Sequence, residues 1–169
     1  MGCGAPDDAR EQDSPVRAPV RNKVKFVIPE REHVKKIFEK IDFDKSGTID
    51  KQEVMGVICQ LGVRVKESQV LRAFNLTDID KKKCLNFDEF YHMFYVLSNT
   101  TEDQMMMIFL YSDLDCSGSI DPKELKRVFD KLGKNFSEGT IQKIVRKYNG
   151  TKPEVDYGTF LAILKDISQ

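Results

Sequence analysis

Two segments of the 169-residue chain place oxygen-bearing side chains at the same spacing. They run from residue 42 to 53 and from 113 to 124. A hard divalent cation such as calcium takes six to eight oxygens, which such a segment offers at positions 1, 3, 5, 7, 9 and 12, with Gly at position 6 for the sharp turn. The candidate metal ligands are Asp42, Asp44, Ser46, Thr48, Asp50 and Glu53 in the first segment, and Asp113, Asp115, Ser117, Ser119, Asp121 and Glu124 in the second.

The two segments belong to a longer internal duplication. Matched positions differ by 71 residues, and the offset continues downstream, where Gly62 matches Gly133 at the expected end of the following helix. Apolar residues flank each loop at helical spacing, and for the first loop they are Val34, Ile37, Phe38 and Ile41 before it, and Val54, Val57, Ile58 and Leu61 after it. Each unit is therefore predicted to be helix, loop, helix.

This pattern resembles the EF-hand superfamily of calmodulin, troponin C and centrin, over about residues 30 to 167. The resemblance implies an all-α fold of four EF-hand units paired into two lobes, with short antiparallel β-bridges between paired loops. The bridge residues are expected to be Ile49, Leu85, Ile120 and Val155. The expected organisation is a flexible tail at 1–29, one pair at 30–98, a short linker at 99–104 and a second pair at 105–169.

The second loop of the first pair, 78–89, keeps acids at its two ends but is rich in lysine. Asp78, Asp80 and Glu89 occupy positions 1, 3 and 12. Lys82 at position 5 carries an ammonium group with no lone pair to donate, and Lys83 takes the glycine position, where a side chain is sterically costly. We expect this loop to be a structural partner of loop 42–53 rather than a calcium site, with weak binding left open.

The fourth loop, 149–159, is one residue shorter than the others. Pro153 stands at its glycine position and Thr159 replaces the bidentate Glu. We expect no calcium there, so the chain is predicted to hold two calcium ions, one in each lobe.

Between the lobes, Thr101 and Gln104 resemble a capping box that would begin a helix over residues 102–112. This helix carries Met105, Met106 and Met107, and three consecutive residues cannot all face one core. At least one of the methionines is expected to be exposed or to line a target-binding groove.

The first 29 residues contain four of the six prolines and are predicted to be mobile. The stretch 16–29 interleaves basic and apolar residues and could dock on a partner, an acidic membrane or a groove of this chain, although a solvated linker is favoured. Gly2 and Cys3 suit double acylation, but Pro6 stands where Ser or Thr is expected, so membrane attachment is not favoured.

The remaining features exclude several function classes. With 27 basic and 27 acidic residues, the chain has no net charge to favour nucleic acid. Four scattered cysteines suit a reducing compartment, and two histidines without ligand spacing offer no catalytic centre.

The sequence predicts a monomeric cytoplasmic calcium sensor that binds an amphipathic helix of a target protein. The alternative is a light-chain or centrin-like cytoskeletal scaffold with little calcium dependence, since "ELKRVFDKLGKNFSE" looks centrin-like.

Overall fold

The computed structural model describes residues 24–58 and 66–167, so Gly62 and most of the predicted tail lie outside the described residues. Within these ranges the chain forms eight helices and one two-stranded sheet. The elements are α1 Arg31–Ile41, β1 Ile49–Asp50, α2 Lys51–Ile58, α3 Glu67–Thr77, β2 Cys84–Leu85, α4 Phe87–Ser98, α5 Gln104–Ser112, α6 Pro122–Lys131, α7 Glu138–Asn149 and α8 Tyr157–Ile167. No described helix is both long and apolar enough to span a bilayer.

The helices form where apolar residues recur every three or four positions. In α1, the buried residues Val34, Phe38 and Ile41 follow one stripe, and the other faces are charged and exposed. In α6, Asp121 caps the N-terminus by accepting from the backbone N–H of Glu124, and Pro122 occupies the first turn. The end of loop 113–124 therefore overlaps the first turn of α6.

Short antiparallel bridges join the loops in pairs, as predicted. Ile49 pairs with Leu85 in the β1–β2 sheet. Ile120 pairs with Val155, and each donates its backbone N–H to the other's carbonyl oxygen at 2.9 Å. All four side chains are fully buried. The prediction of paired EF-hand units is confirmed in both halves.

The start of α5 differs from the prediction. The helix begins at Gln104 and its N-cap is Asp103, whose carboxylate accepts from the backbone N–H groups of Met105 at 2.9 Å and Met106 at 3.3 Å. The Thr101 hydroxyl accepts only from the backbone N–H of Asp103, at 3.3 Å, so the predicted capping box is wrong. A carboxylate is the stronger N-cap here because it also complements the positive end of the helix dipole.

The C-terminal end of α6 agrees with the prediction. Gly133 has φ of 75°, which confirms the predicted left-handed residue that ends this helix.

Two apolar cores form, one in each half, and they touch. The first core includes Leu110 and Cys116 from the second half of the chain. Phe26 and Met106 pack against both cores. Helix α4 is the main link, because eight of its twelve residues are buried and it contacts both α3 and α5. The two halves therefore form a joined body in which α4 and α5 lie at the centre.

Candidate metal centre

The first half of loop 42–53 is held by hydrogen bonds to Asp42 at position 1. One oxygen, Oδ1, accepts from the backbone N–H of Ser46 at 2.9 Å, and the other, Oδ2, accepts from that of Gly47 at 3.0 Å. Gly47 has φ of 79°, which turns the chain back towards the loop centre. The Ser46 hydroxyl lies 2.9 Å from the carbonyl oxygen of Thr48, the oxygen of position 7. Ligand positions 1, 5 and 7 are thus close together.

The second half of the loop is closed by Glu53 at position 12. Its carboxylate accepts from the backbone N–H of Phe43 at 3.1 Å and from that of Asp50 at 2.9 Å. Asp50 in turn accepts from the backbone N–H of Glu53 at 2.9 Å and caps α2. These bonds draw the two ends of the loop together, so that single oxygens of three acids lie within 4.8 Å of one another: Asp42, Asp44 and Glu53.

Loop 113–124 repeats this arrangement in a more buried setting. Asp113 accepts from the backbone N–H groups of Ser117 and Gly118, each at 2.9 Å. Glu124 accepts from the backbone N–H of Leu114 at 2.8 Å. Asp113 is completely buried and Glu124 is 6% exposed, whereas Asp42 and Glu53 are half-buried. The carboxylates of Asp113, Asp115 and Glu124 also converge within 4.8 Å.

Burial changes the acidity of this second cluster. It raises the pKa of Asp113 to about 6, although the Tyr95 hydroxyl and the backbone N–H groups of Gly118 and Ser117 act in the opposite direction. Burial also raises the pKa of Glu124. Both shifts show that the two anions are poorly solvated. A positive charge placed among them would be screened less than at loop 42–53.

Both predicted donor sets fit a hard divalent cation. Each loop brings together three carboxylates, a serine hydroxyl and a backbone carbonyl oxygen, which supply six of the six to eight oxygens that calcium takes when the glutamate binds through both of its oxygens. Ser117 repeats the role of Ser46, with its hydroxyl 3.1 Å from the carbonyl oxygen of Ser119. The remaining candidates, Asp50 and Asp121 at position 9, serve as helix caps in this structure.

Loop 78–89 has the same pattern of backbone hydrogen bonds, but a lysine ammonium group of the loop itself lies beside its carboxylates. Asp78 accepts from the backbone N–H of Lys82 at 3.1 Å and of Lys83 at 3.0 Å, and Asp78, Asp80 and Glu89 converge within 4.8 Å. The Lys82 ammonium group lies 2.6 Å from a carboxylate oxygen of Asp80. Lys83 has φ of 65°, so the predicted left-handed conformation at position 6 is confirmed for a residue with a Cβ atom.

Loop 149–159 retains the bridge at Val155 but is organised by other contacts. The Asn149 side chain donates to the carbonyl oxygen of Glu154, and Gly150 has φ of 64°. Thr159 is buried, and its backbone N–H donates to Asp156 at 2.8 Å. Asp156 therefore caps α8 in the way that Asp121 caps α6, and Thr159 brings no carboxylate to this loop.

The geometry agrees with comparisons against known protein families. Residues 31–95 match an EF-hand domain pair, and residues 108–129 match an EF hand. The chain belongs to the EF-hand superfamily. EF-hand domains bind calcium, and the three carboxylate clusters of the described residues all lie within the two matched segments.

Several curated EF-hand relatives span most of the chain. The calcium-binding protein CML19 of Arabidopsis thaliana is 28% identical over 141 residues, which cover 82% of this chain and 84% of that protein. Centrin-3 of Homo sapiens is 26% identical over 138 residues, covering 80% and 83%. A solved structure of a homologue of programmed cell death 6 protein from Leishmania major Friedlin aligns with 78% of this chain and 73% of its own, with 20% identity and a TM-score of 0.34. The two curated relatives are thus named as a calcium-binding protein and a centrin.

Two specific contacts near the EF-hand loops were not predicted from the sequence. The Tyr95 hydroxyl donates to Asp113 at 2.7 Å, and burial together with this bond raises the pKa of Tyr95. Phe26, from the predicted tail, stacks on Phe109 with ring centroids 5.3 Å apart. The signal available for Tyr95 was the density of apolar residues in α4, "FDEFYHMFYVLS", which is expected of a helix buried on several sides.

Proposed function

We propose that the protein is a calcium sensor that changes lobe conformation on binding calcium and engages an amphipathic helix of a target protein. The observation that carries this proposal is the convergence of three carboxylates within 4.8 Å in loops 42–53 and 113–124. Asp42 and Asp113 directly follow α1 and α5, whereas Glu53 and Glu124 lie in the first turns of α2 and α6. A change in the spacing of these acids therefore changes the angle between two helices.

The chain's own contribution is to hold like charges together. Backbone N–H groups stabilise the crowded carboxylates, and each bound calcium ion would supply the two positive charges that they lack. The pairing of Ile49 with Leu85 connects loop 42–53 to loop 78–89, so α3 and α4 follow any movement of the first loop. In this proposal each lobe responds to one ion.

A groove lined by both apolar and polar residues supports the target-binding half of the proposal. It has a volume of about 710 Å³ and lies between α3, α5 and α6. Leu76 and Leu132 at its edges are 51% and 54% exposed, and Met107 also lines it, as the methionine pattern predicted. A few apolar side chains of an amphipathic helix would fill this space. Because α5 and α6 lie on either side of loop 113–124, the groove depends on the shape of that loop.

A scaffold function is the second candidate, as a light-chain or centrin-like subunit with little calcium dependence. The contact between Lys82 and Asp80 favours it, because a resident ammonium group partly neutralises loop 78–89 without any metal ion. Half of the first lobe would then keep its shape at all calcium concentrations.

Calorimetric titration of calcium into the protein, beside an apolar-surface dye, tests both candidates. Two binding events with rising dye fluorescence support the sensor, and two events without a dye response support the scaffold. Glu53→Gln and Glu124→Gln should each remove one binding event, because each loses the bidentate ligand. An unchanged stoichiometry in Glu124→Gln would contradict the assignment of loop 113–124.

We further propose that the protein acts as a monomer in the cytoplasm, without enzymatic or nucleic-acid-binding activity. Within the cytoplasm, we propose that it associates with the cytoskeleton. Acylation at Gly2 and Cys3, which lie outside the described residues, is not favoured. The intact mass of protein purified from its native cells tests this point, because each acyl chain adds a characteristic mass.

A further inference from the structure

The calcium loop at 113–124 receives a hydrogen bond from the other half of the chain. Tyr95, on α4 of the first EF-hand pair, donates its hydroxyl to Oδ2 of Asp113 at 2.7 Å. Both side chains are completely buried. Asp113 is the first ligand position of its loop, so a residue of one lobe touches a metal ligand of the other.

The bond goes to one oxygen of Asp113, and the other oxygen accepts from loop 113–124 alone. Oδ2 accepts from Tyr95 and from the backbone N–H of Gly118, whereas Oδ1 accepts from the backbone N–H of Ser117. Ligand geometry is sensitive to such bonds, because partners outside the coordination sphere fix the orientation of a carboxylate and its readiness to coordinate. Tyr95 therefore restricts the rotation of Asp113 without bonding to Oδ1.

Loop 42–53 provides an internal comparison. Asp42 accepts the same two backbone bonds as Asp113, from Ser46 and Gly47. Within the described residues, the hydrogen bonds that the Asp42 carboxylate accepts all come from its own loop. The hydroxyl of Tyr95 is thus an addition to the EF-hand arrangement at loop 113–124 rather than a general part of it.

Phe26 fixes the position of Tyr95. Its ring packs edge-on against Tyr95 at 6.5 Å between centroids and stacks on Phe109 of α5 at 5.3 Å. A Cβ atom built on Gly118 would lie 3.7 Å from the Phe26 ring, so the ring also covers the turn of the calcium loop. Tyr95, Phe26 and the loop form one continuous contact between the lobes.

We propose that Tyr95 is a positioning residue for the calcium ligand Asp113, so that loop 113–124 reaches its full calcium affinity only when α4 is docked against the second lobe. The inference rests on the proposed calcium binding of this loop. Coupling between two equilibria is reciprocal, so calcium at loop 113–124 must strengthen the docking of α4 to the same extent.

The test uses the full-length chain carrying Glu53→Gln, which isolates loop 113–124. In this background, calorimetry should show that Tyr95→Phe weakens calcium binding about tenfold, the lower end of the range for such outer partners. Phe26→Ala should also weaken it, although it alters neither bonded atom. The matched control is Tyr148→Phe, which removes a hydroxyl that donates to Asp166 on α8 and leaves Asp113 untouched.

A second readout separates positioning from a merely structural role. Hydrogen exchange should show that calcium protects the amides of α4 in the Glu53→Gln protein and protects them less in the Tyr95→Phe variant. Calcium affinities of Tyr95→Phe and Tyr148→Phe within twofold of each other would overturn this inference alone. Failure of the Glu53→Gln protein to bind calcium with Tyr95 intact would overturn the calcium assignment of loop 113–124, and this inference with it.

Discussion

The ammonium nitrogen of Lys82 lies 2.6 Å from a carboxylate oxygen of Asp80, at the centre of a loop with the backbone shape of a calcium site. The hydrogen bond from Lys82 lowers the pKa of Asp80, and the bond to Asp80 raises the pKa of Lys82. Both groups are therefore charged at neutral pH. The loop holds one acid in an internal ion pair and has no side-chain oxygen at position 5.

Lys82→Ser should give loop 78–89 a calcium site. The change frees Asp80 and supplies the hydroxyl that Ser46 and Ser117 supply in the other loops. Calorimetry should show three binding events in place of two. The control is Lys81→Ser, which removes the same charge at position 4, where the side chain is not a ligand. A third event in both variants would show that net charge alone decides binding.

Lys83→Gly should stabilise the protein. Lys83 has φ of 65°, where a residue with a Cβ atom is strained and glycine is not. After the larger backbone entropy lost by glycine is subtracted, we expect the free energy of unfolding to rise by about 0.5–1 kcal/mol. Urea denaturation in the presence of a chelator measures it. Lys83→Ala removes the same charge but keeps Cβ, and an equal gain there would contradict the strain argument.

Asp103→Ala should shorten α5 and lower the thermal midpoint by about 2–4 °C, because it removes the N-cap and an acceptor for the Tyr157 hydroxyl at 2.8 Å. Asp103→Asn, which can still cap, should lie close to the wild type. Thr101→Ala tests the cap expected from sequence and should have a smaller effect than Asp103→Ala. The reverse order would restore Thr101 as the cap.

His92 should make the folded state sensitive to acid. Its Nε2 lies 3.0 Å from the carbonyl oxygen of Leu110 and must carry the proton, and its buried Nδ1 has no partner within the described part of the chain. Burial lowers the pKa of His92, and the charge of Lys131 adds to this shift. As pH falls below about 6.5, the unfolded chain binds a proton that the folded chain resists, so stability decreases.

The measurement is the free energy of unfolding at pH 7.5 and 5.5. Wild type should lose about 1 kcal/mol more over this interval than His92→Gln, which keeps a donor but does not titrate. Asp113, with its raised pKa of about 6, acts in the opposite direction in both proteins and cancels in the difference. His33→Gln, at an exposed position of α1, is the control. Equal acid sensitivity of wild type and His92→Gln would contradict the assignment.

The loops were predictable because their information is local. Twelve consecutive residues contain the ligands, the turn and the bridge residue, and the 71-residue duplication shows which loops are related. The pairing of Ile49 with Leu85 and of Ile120 with Val155 was implied by the resemblance to paired EF-hands, and the structure confirms it. Even the strained Lys83 could be inferred, since position 6 is left-handed in each of the three twelve-residue loops.

The contacts between lobes were not predictable in the same way. Tyr95 lies on α4 and Asp113 directly follows α5, 18 residues later, and nothing in the spacing of either residue marks the bond. The N-cap of α5 depended on which of two neighbouring oxygens faces the free backbone N–H groups, and Asp103 does so more directly than Thr101. Docking of the basic and apolar stretch in a groove of its own chain was one of several open possibilities, and Phe26 does dock there.

The Asn99 side chain makes the pair of hydrogen bonds to Val27 that a residue of a neighbouring β-strand would make. Its Oδ1 accepts from the backbone N–H of Val27 and its Nδ2 donates to the carbonyl oxygen of Val27, both at 2.8 Å. One side-chain amide thus bonds to both backbone groups of a single residue and fixes the register of the segment before α1. A one-residue deletion between Val27 and α1 would offer Asn99 the wrong residue and rotate the aromatic ring before it away from the lobes. The number of residues between Val27 and α1 is therefore fixed by a hydrogen-bonding partner, just as the length of a calcium loop is fixed by its ligands.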